Sequence, residues 1–285
     1  MASALGADFK VGRIERLNGG IATSVHLVEL ATSAGNRQVV LKRFPPGSPV
    51  PQIEWDALEF VARTALPSPT PLLLNTGEWF NAPCIVTDYL LGRPDLKPDD
   101  LGRWIASLAT ALAAIHSTPV QEAPAWLHRP AIWDRWEPSG LPPGPRTMAI
   151  SAAVNALRTR EWTYAFCHGD FHPGNVLFEN GSLIGVVDWT SARVAPLLSD
   201  LGRARAALAI WPGGDAPDLL ADAYLVETGR PLEGLALWDL MSGSITLENS
   251  AVVPLLYEGL SVPVTSEAVA TRASGFVDEA LRHLS

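Results

Sequence analysis

Lysine is nearly absent from this chain: Lys10, Lys42 and Lys97 stand against eighteen arginines among 285 residues. With 30 acidic and 21 basic residues the formal net charge is -9. The basic patches with which proteins hold nucleic acid or anionic membrane are therefore not expected, while a cationic partner is compatible with the balance. Cysteine is equally scarce. Cys84 and Cys167 lie far apart, each in an apolar strand-like run, which excludes a disulfide framework and fits reduced thiols in a cytoplasm. No apolar run reaches the length of a membrane span, because the Ala-rich segments are broken by Arg, Asp or Pro. The opening MASALGADFK has no apolar stretch of secretory-signal type, so a cytoplasmic location is expected. There is no internal repeat.

What is present is a globular composition, 47% hydrophobic and 18% charged, on a length sufficient for one large or two modest domains. Its organising stretch is Tyr164 to Trp189, YAFCHGDFHPGNVLFENGSLIGVVDW. Val176-Leu177-Phe178 and Leu183-Ile184-Gly185-Val186-Val187 are β-prone runs, and Asn180-Gly181 between them is a two-residue turn signal. Counting outward sets Glu179 opposite Ser182, Phe178 opposite Leu183 and Asn175 opposite Val186. Asn175 and Asp188 then share one face as diagonal neighbours roughly 7 Å apart. An amide oxygen and a carboxylate so placed suit Mg2+, which takes few protein ligands beside waters and substrate phosphates.

Asp170 lies five residues before Asn175 in HGDFHPGN. This is the spacing of the kinase loop H-R-D-x-x-x-x-N, whose Asp accepts the proton of the substrate hydroxyl while the Asn and a later Asp hold metal. Asp170 is thus a candidate catalytic base, and Asn175 and Asp188 are candidate metal ligands. Two other readings stay open: Asp170 and His172 as loop residues bonded to backbone, and a metal hydrolase using His168, Asp170 and His172. None of the other histidines falls in ligand-like spacing with these, and His168 is better suited to holding the loop with its ring.

Residues 9 to 44 read as three strands, Phe9–Leu17, Val25–Leu30 and Gln38–Phe44, in a small antiparallel sheet. The first connection, NGGIATS, is a Gly-bearing loop of the kind that covers nucleotide phosphates, with Thr23 and Ser24 as its candidate contacts. It lacks the full G-x-G-x-x-G spacing. Lys42 ends a strand in a Lys-poor chain, where kinases place the Lys that holds phosphates and pairs with a Glu of the next helix. Glu54 is the candidate partner, near the start of a helix carried by Ile53, Ala57, Leu58, Val61 and Ala62 after the break Pro45–Pro51. The alternative for Glu54 is a first-turn acid favoured by the helix dipole.

HGDFHPGN followed by VVDW resembles the aminoglycoside phosphotransferase family of small-molecule kinases, whose HGDxxxxN precedes an Asp at about this distance. Gly169 stands where protein kinases have Arg, Trp189 follows Asp188 where they have Phe-Gly, and Thr190 stands where the family has an acidic residue. The resemblance implies an α+β, two-lobed protein-kinase-like fold. A mostly antiparallel β lobe would occupy residues 1–90. A hinge at about 88–92 would present backbone groups of Asp88 and Leu90 to adenine, and a helical lobe over 93–285 would hold the catalytic loop and acceptor site. The implied cofactors are ATP, with GTP as an open alternative, and Mg2+. Asp200 would buttress the catalytic loop; its alternative is a favourable residue near a helix start.

Helices are expected over Leu101–His116, Met148–Arg160, Ser199 to about Trp211, Ala216–Thr228, Leu232–Asn249 and Ser266–Leu284, with Trp126–Pro145 an irregular excursion. In relatives the tail lines the acceptor pocket. Glu233, Glu248 and Glu258, with Trp133 as an aromatic wall, are therefore candidate contacts for a hydroxylated, cationic acceptor, surface solvation being the alternative. The acceptor stays open among an antibiotic of aminoglycoside type, a metabolite such as a sugar or amino alcohol, and a peptide precursor. A catalytically silent nucleotide-binding scaffold would lack one of Lys42, Asp170, Asn175 or Asp188.

Overall fold

Alternating runs and turn residues organise the first part of the chain. The computed structural model describes residues 9–17, 23–33, 35–64, 66–78, 81–128, 132–258, 260 and 262–284. Strands β1 (Phe9–Arg16), β2 (Ser24–Thr32), β3 (Gly35–Arg43), β4 (Pro71–Asn75) and β5 (Cys84–Asp88) form one antiparallel sheet in the order β1-β2-β3-β5-β4. Val28, Leu30, Val39, Leu72 and Val86 make a small core cluster within it. Residues 18–22 of the expected phosphate lid lie outside the described residues, and its end, Thr23 and Ser24, is half-buried where β2 begins.

Helix α1 (Val50–Val61) starts inside the expected Pro break. Proline is tolerated in a first turn because the N–H it lacks would have no intrahelical partner there. The inward face also differs from the expected stripe: Glu54 and Phe60 are buried with Ala57, Leu58 and Val61, while Ile53 is only half-buried.

Helices α2 (Leu101–His116), α3 (Pro145–Thr159), α4 (Leu197–Ile210), α5 (Ala216–Thr228), α6 (Leu235–Glu248), α7 (Val253–Glu258) and α8 (Ser266–Leu284) make up most of the remainder. Asp100 caps α2, accepting the Arg103 N–H at 3.0 Å. The six-residue α7 was not expected. Strand β6 (Arg93–Pro94) pairs with β8 (Val176–Glu179), which forms the hairpin with β9 (Ser182–Val186), while β7 (Tyr164–Cys167) pairs with β10 (Arg193–Pro196).

The hairpin corrects the counted register. Glu179 opposes Ser182 and Phe178 opposes Leu183, but a bulge then sets Leu177 opposite Gly185 and Val176 opposite Val186. Asn175 therefore meets Val187, whose N–H donates to its carbonyl at 2.9 Å. A one-residue slip exchanges the faces of a strand, so shared-face counting does not bring Asp188 beside Asn175. Instead Asp188 leaves the strand pattern in a left-handed conformation, φ 66 and ψ 63. The bulge is locked by two glycines. A Cβ on Gly185 would stand 2.3 Å from Leu90 Cδ1, and one on Gly92 would stand 2.4 Å from Ile184 Cδ1. The hairpin and the segment 90–92 thus interlock side chain over glycine.

The main core crosses from the sheet side to the helices. Phe44, Leu58 and Val61 belong to one cluster with Trp104, Leu108, Phe166 and Trp189. Phe60 meets Phe166 edge-on at 4.9 Å between ring centroids, and Trp189 stacks on Phe166 at 5.7 Å. Among the described residues no helix is long and apolar enough to cross a membrane.

Helices α4 and α6 approach at Gly202, where a Cβ would lie 2.8 Å from the backbone carbon of Trp238. Backbone cannot rotate aside as a side chain can. Gly202→Ala is expected to lower unfolding free energy by about 1–3 kcal/mol through overpacking, measured by urea denaturation; an unchanged midpoint would show that the helices do not pack there.

Candidate active site

Strand β3 delivers Lys42 and helix α1 delivers Glu54 to one buried point. The Lys42 ammonium lies 2.8 and 3.1 Å from the two Glu54 oxygens and 2.9 Å from Asp188 Oδ1. Burial alone would lower the Lys42 pKa, but the Glu54 and Asp188 carboxylates outweigh it and raise it above its usual value. Burial likewise works to raise the Asp188 pKa, and Lys42 overrides that, holding the carboxyl well below the usual range. The Thr190 hydroxyl donates to Asp188 Oδ1 at 2.8 Å, so the residue that departs from the resembled pattern supplies a hydrogen bond here.

The loop after β7 is fixed from behind. Gly169 has φ +80, and a Cβ on it would lie 2.1 Å from the Ser191 carbonyl oxygen. No side chain fits, which is the physical reason the Arg of protein kinases has no counterpart on this backbone. Asp200, in the first turn of α4, accepts the His168 N–H at 2.6 Å and the Gly169 N–H at 2.8 Å. Behind it His116 Nε2 stands 3.5 Å from Asp200 Oδ2, and His116 Nδ1 pairs with the Tyr224 hydroxyl at 2.7 Å. The His168 ring packs against Trp189 and Phe171. Its Nε2 lies 3.0 Å from the Val187 carbonyl and its Nδ1 accepts the Asp170 N–H at 3.3 Å, partners that assign the proton to Nε2.

Asp170 projects from this loop. Its Oδ1 accepts from Arg203 Nε at 2.9 Å, and its Oδ2 lies 3.8 Å from His172 Nε2. Burial pushes the Asp170 carboxyl up, but Arg203, with smaller contributions from His172 and His168, outweighs this and keeps it below its ordinary value. Burial drives His172 down to about 4, so it is neutral near pH 7. Its Nδ1 accepts the Gly174 N–H at 3.0 Å. Asn175 donates its amide Nδ2 to the Asp170 backbone carbonyl at 3.0 Å, which turns its Oδ1 away from that contact.

Asp170 opens onto a cavity of about 420 Å³ lined by His172, Trp133, Arg193, Arg203, Trp211 and Trp238 among others. Trp133 lines this cavity. Glu248 is not among the lining residues: its carboxylate accepts the Trp136 indole N–H at 2.7 Å and the Gly140 N–H at 2.9 Å, so it anchors the 136–140 loop. Glu233 pairs with Arg160 at 2.7 Å on the surface. The side chain of Glu258 lies outside what is described. In the segment expected to be the hinge, Asp88 is bound to Thr70 through its N–H at 3.0 Å and its carboxylate at 2.5 Å, while the Leu90 carbonyl accepts the Gly92 N–H at 2.9 Å.

Residues 13–238 match the family model APH, described as the phosphotransferase enzyme family. The chain belongs to this family. No curated protein matches it. Among solved structures it is similar to an amicoumacin kinase, hAmiN, in complex with AMP-PNP, Ca2+ and Ami (14% identity, 95% of this chain and 92% of that one, TM-score 0.65). It is also similar to a thermostable mutant of aminoglycoside phosphotransferase APH(4)-Ia with ADP and hygromycin B (18% identity, 96% and 94%, TM-score 0.63). A third is macrolide 2'-phosphotransferase MphH from Brachybacterium faecium (18% identity, 95% and 96%, TM-score 0.63). At such identities the likeness establishes the protein-kinase-like fold, and family membership makes this a kinase-type enzyme.

Against that family frame, the metal-hydrolase alternative finds no ligand set in the loop. Both His168 nitrogens are engaged by backbone, at Asp170 and at Val187, and His172 Nδ1 faces a backbone N–H. Among the described residues the His/Cys/carboxylate group with atoms within 4.8 Å of one another is His116, Cys167 and Asp200. It is sealed behind the loop, and burial holds the Cys167 thiol far above its usual pKa, unsuited to ligation. Arg203 is the residue that sequence reasoning missed in this phosphotransferase. The available signal was its position three residues after Asp200 on one helix, which sends both side chains toward the same loop.

Asp200→Asn replaces one of two carboxylate acceptors by an amide that meets an N–H. With hydrogen bonds to charged groups worth about 1.5–3 kcal/mol each, a loss near 3 kcal/mol of stability is expected. Amide exchange should quicken at His168 and Gly169 specifically; unchanged protection there would remove Asp200 from its buttressing role.

Proposed function

We propose that the protein transfers the γ-phosphoryl group of ATP to a hydroxyl of a small molecule, GTP being the open alternative donor. The observation that carries this reading is the convergence of Lys42, Glu54 and Asp188 on one ion-paired point, together with an Asp170 held below its ordinary pKa in the wall of a cavity. Lys42 would hold the donor's phosphates and Glu54 would orient Lys42. Thr23 and Ser24 are proposed as further phosphate contacts. The Leu90 N–H is the hinge donor proposed for the adenine edge, with the Asp88 carbonyl beside it.

The donor set fits a hard divalent cation such as Mg2+. The Asp188 carboxylate and the Asn175 Oδ1, set free by the bond of its Nδ2 to Asp170, are both oxygen ligands. Bound there, the cation would supply neutralisation of phosphate charge. Asp170 orients the acceptor hydroxyl and takes its proton. The hydroxyl oxygen bonds to phosphorus as the bond to the β,γ-bridging oxygen breaks, and nucleoside diphosphate leaves. Positioning and charge carry the rate, since little covalent work falls to the protein. We place the enzyme in the cytoplasm, where ATP is supplied and Cys84 and Cys167, both free thiols, stay reduced.

Hydroxyls of antibiotics, metabolites and peptide precursors are all chemically able to accept the phosphoryl group. Incubation with Mg-ATP and a panel of hydroxylated compounds, read by mass spectrometry, should yield a singly phosphorylated product. Nucleotide binding without any product would favour the silent scaffold instead. Asp170→Asn should lower transfer by about 10²–10⁴-fold with nucleotide affinity kept, whereas Asp188→Ala should abolish Mg-ATP turnover while leaving the fold intact. Equal loss of nucleotide binding in the Asp170 variant would move that residue to the donor side.

A further inference from the structure

The charge of the acceptor cavity is opposite to that of the chain. The lining side chains that are ionised near neutrality are Asp170, Arg193 and Arg203, His172 being neutral. Asp170 is the sole carboxylate lining the cavity among the described residues, and it is already paired with Arg203. Arg203 uses only its Nε in that pair, and its side chain, which lines the cavity, is 32% exposed. A guanidinium offers five N–H donors in a rigid fork suited to a carboxylate. Arg193 donates Nε to the Ser191 carbonyl at 2.9 Å and spreads its guanidinium over the Trp133 ring at 5.4 Å, adding a second positive charge. The rest of the wall is apolar: Trp211, Trp238, Met241, Ile245 and Leu256 contribute to it.

A polycationic acceptor entering here would find two guanidiniums, a wall of indole and methyl groups, and, among the described residues, no carboxylate to spare. The net charge of -9 does not reverse this. Exposed charges elsewhere are screened over a Debye length of about 8 Å, so groups in contact with the ligand decide recognition. Glu248, the acid nearest in sequence to the cavity-lining Asn249, is spent on Trp136 and Gly140.

We propose that the cavity takes a largely apolar, hydroxylated small molecule bearing a carboxylate, with the carboxylate on the Arg203 fork and the hydroxyl at Asp170. This assignment rests on reading the chain as a hydroxyl kinase, and it departs from the cationic acceptor that the sequence suggested. The free face of Arg203 is the specificity determinant; its other edge positions Asp170.

The test is calorimetric titration of the full-length protein with 3-hydroxydecanoate, its methyl ester and kanamycin, followed by incubation of each with Mg-ATP. The acid should bind at least about tenfold more tightly than the ester. Arg203→Met should erase that preference while leaving ester binding in place, and Arg203→Lys should restore part of it. The inference is overturned if the ester equals the acid, if kanamycin binds more tightly than either, or if the acid does not bind. Should Arg203→Met fail to fold, the acid-to-ester ratio on the unmodified protein decides alone. Phosphorylation of kanamycin in preference to the acid would sink the acceptor class and keep the kinase reading. An acid that binds with the expected preference yet is never phosphorylated would do the reverse.

Discussion

One ammonium group joins three parts of the chain that are far apart in sequence. Lys42 sits between Glu54, from the helix that follows its strand, and Asp188, from the end of the hairpin 146 residues on. Buried charge of this kind is a poor source of stability, because desolvating two ions offsets most of their attraction, while removing one partner alone costs about 3–5 kcal/mol. The arrangement therefore makes sense as a positioning device. On the function proposed above, the cation that would hold phosphate and the carboxylate that would hold metal are kept ionised and adjacent before any donor arrives, so that little reorganisation would remain when it does.

A second constraint is steric and acts on the catalytic loop. Gly169 allows the loop to run within contact of the Ser191 carbonyl, and Asp200 can then collect two successive N–H groups. The two requirements are coupled. Without glycine the loop could not close on the 189–191 turn, and without the buried carboxylate the two N–H groups would be left without acceptors. Asp170 is aimed by this frame and then loaded by Arg203, so its ionisation is set by a neighbour on α4 as well as by the loop.

Much of this was legible in the sequence, for identifiable reasons. Asn180-Gly181 announced the hairpin because few residues tolerate positive φ in succession, and the rarity of lysine made Lys42 conspicuous. The register beyond Leu183 was not legible, because the bulge depends on Leu90 and Ile184 filling spaces above Gly185 and Gly92, contacts between segments some 90 residues apart. Arg203 was hidden among eighteen arginines. Glu248 misled for a related reason: an acid near the helical tail looks available until Trp136 and Gly140 are seen to claim it. The acceptor cavity draws on residues from Leu96 to Leu260. No local pattern encodes such a surface, and its charge emerges only when the segments are assembled.

The glycine interlock between the segment 90–92 and the hairpin bears on mechanics. Leu90 rests on Gly185 and Ile184 rests on Gly92, while the Val186 N–H is tied to the Pro67 carbonyl at 3.0 Å. Two segments meshed tooth into notch turn together, so the chain between sheet and helices does not act as a free pivot. A closing motion at Leu90 would have to carry the hairpin with it, and β9 ends two residues before Asp188. The segment 90–92 and the Asp188 carboxylate are in this sense one lever.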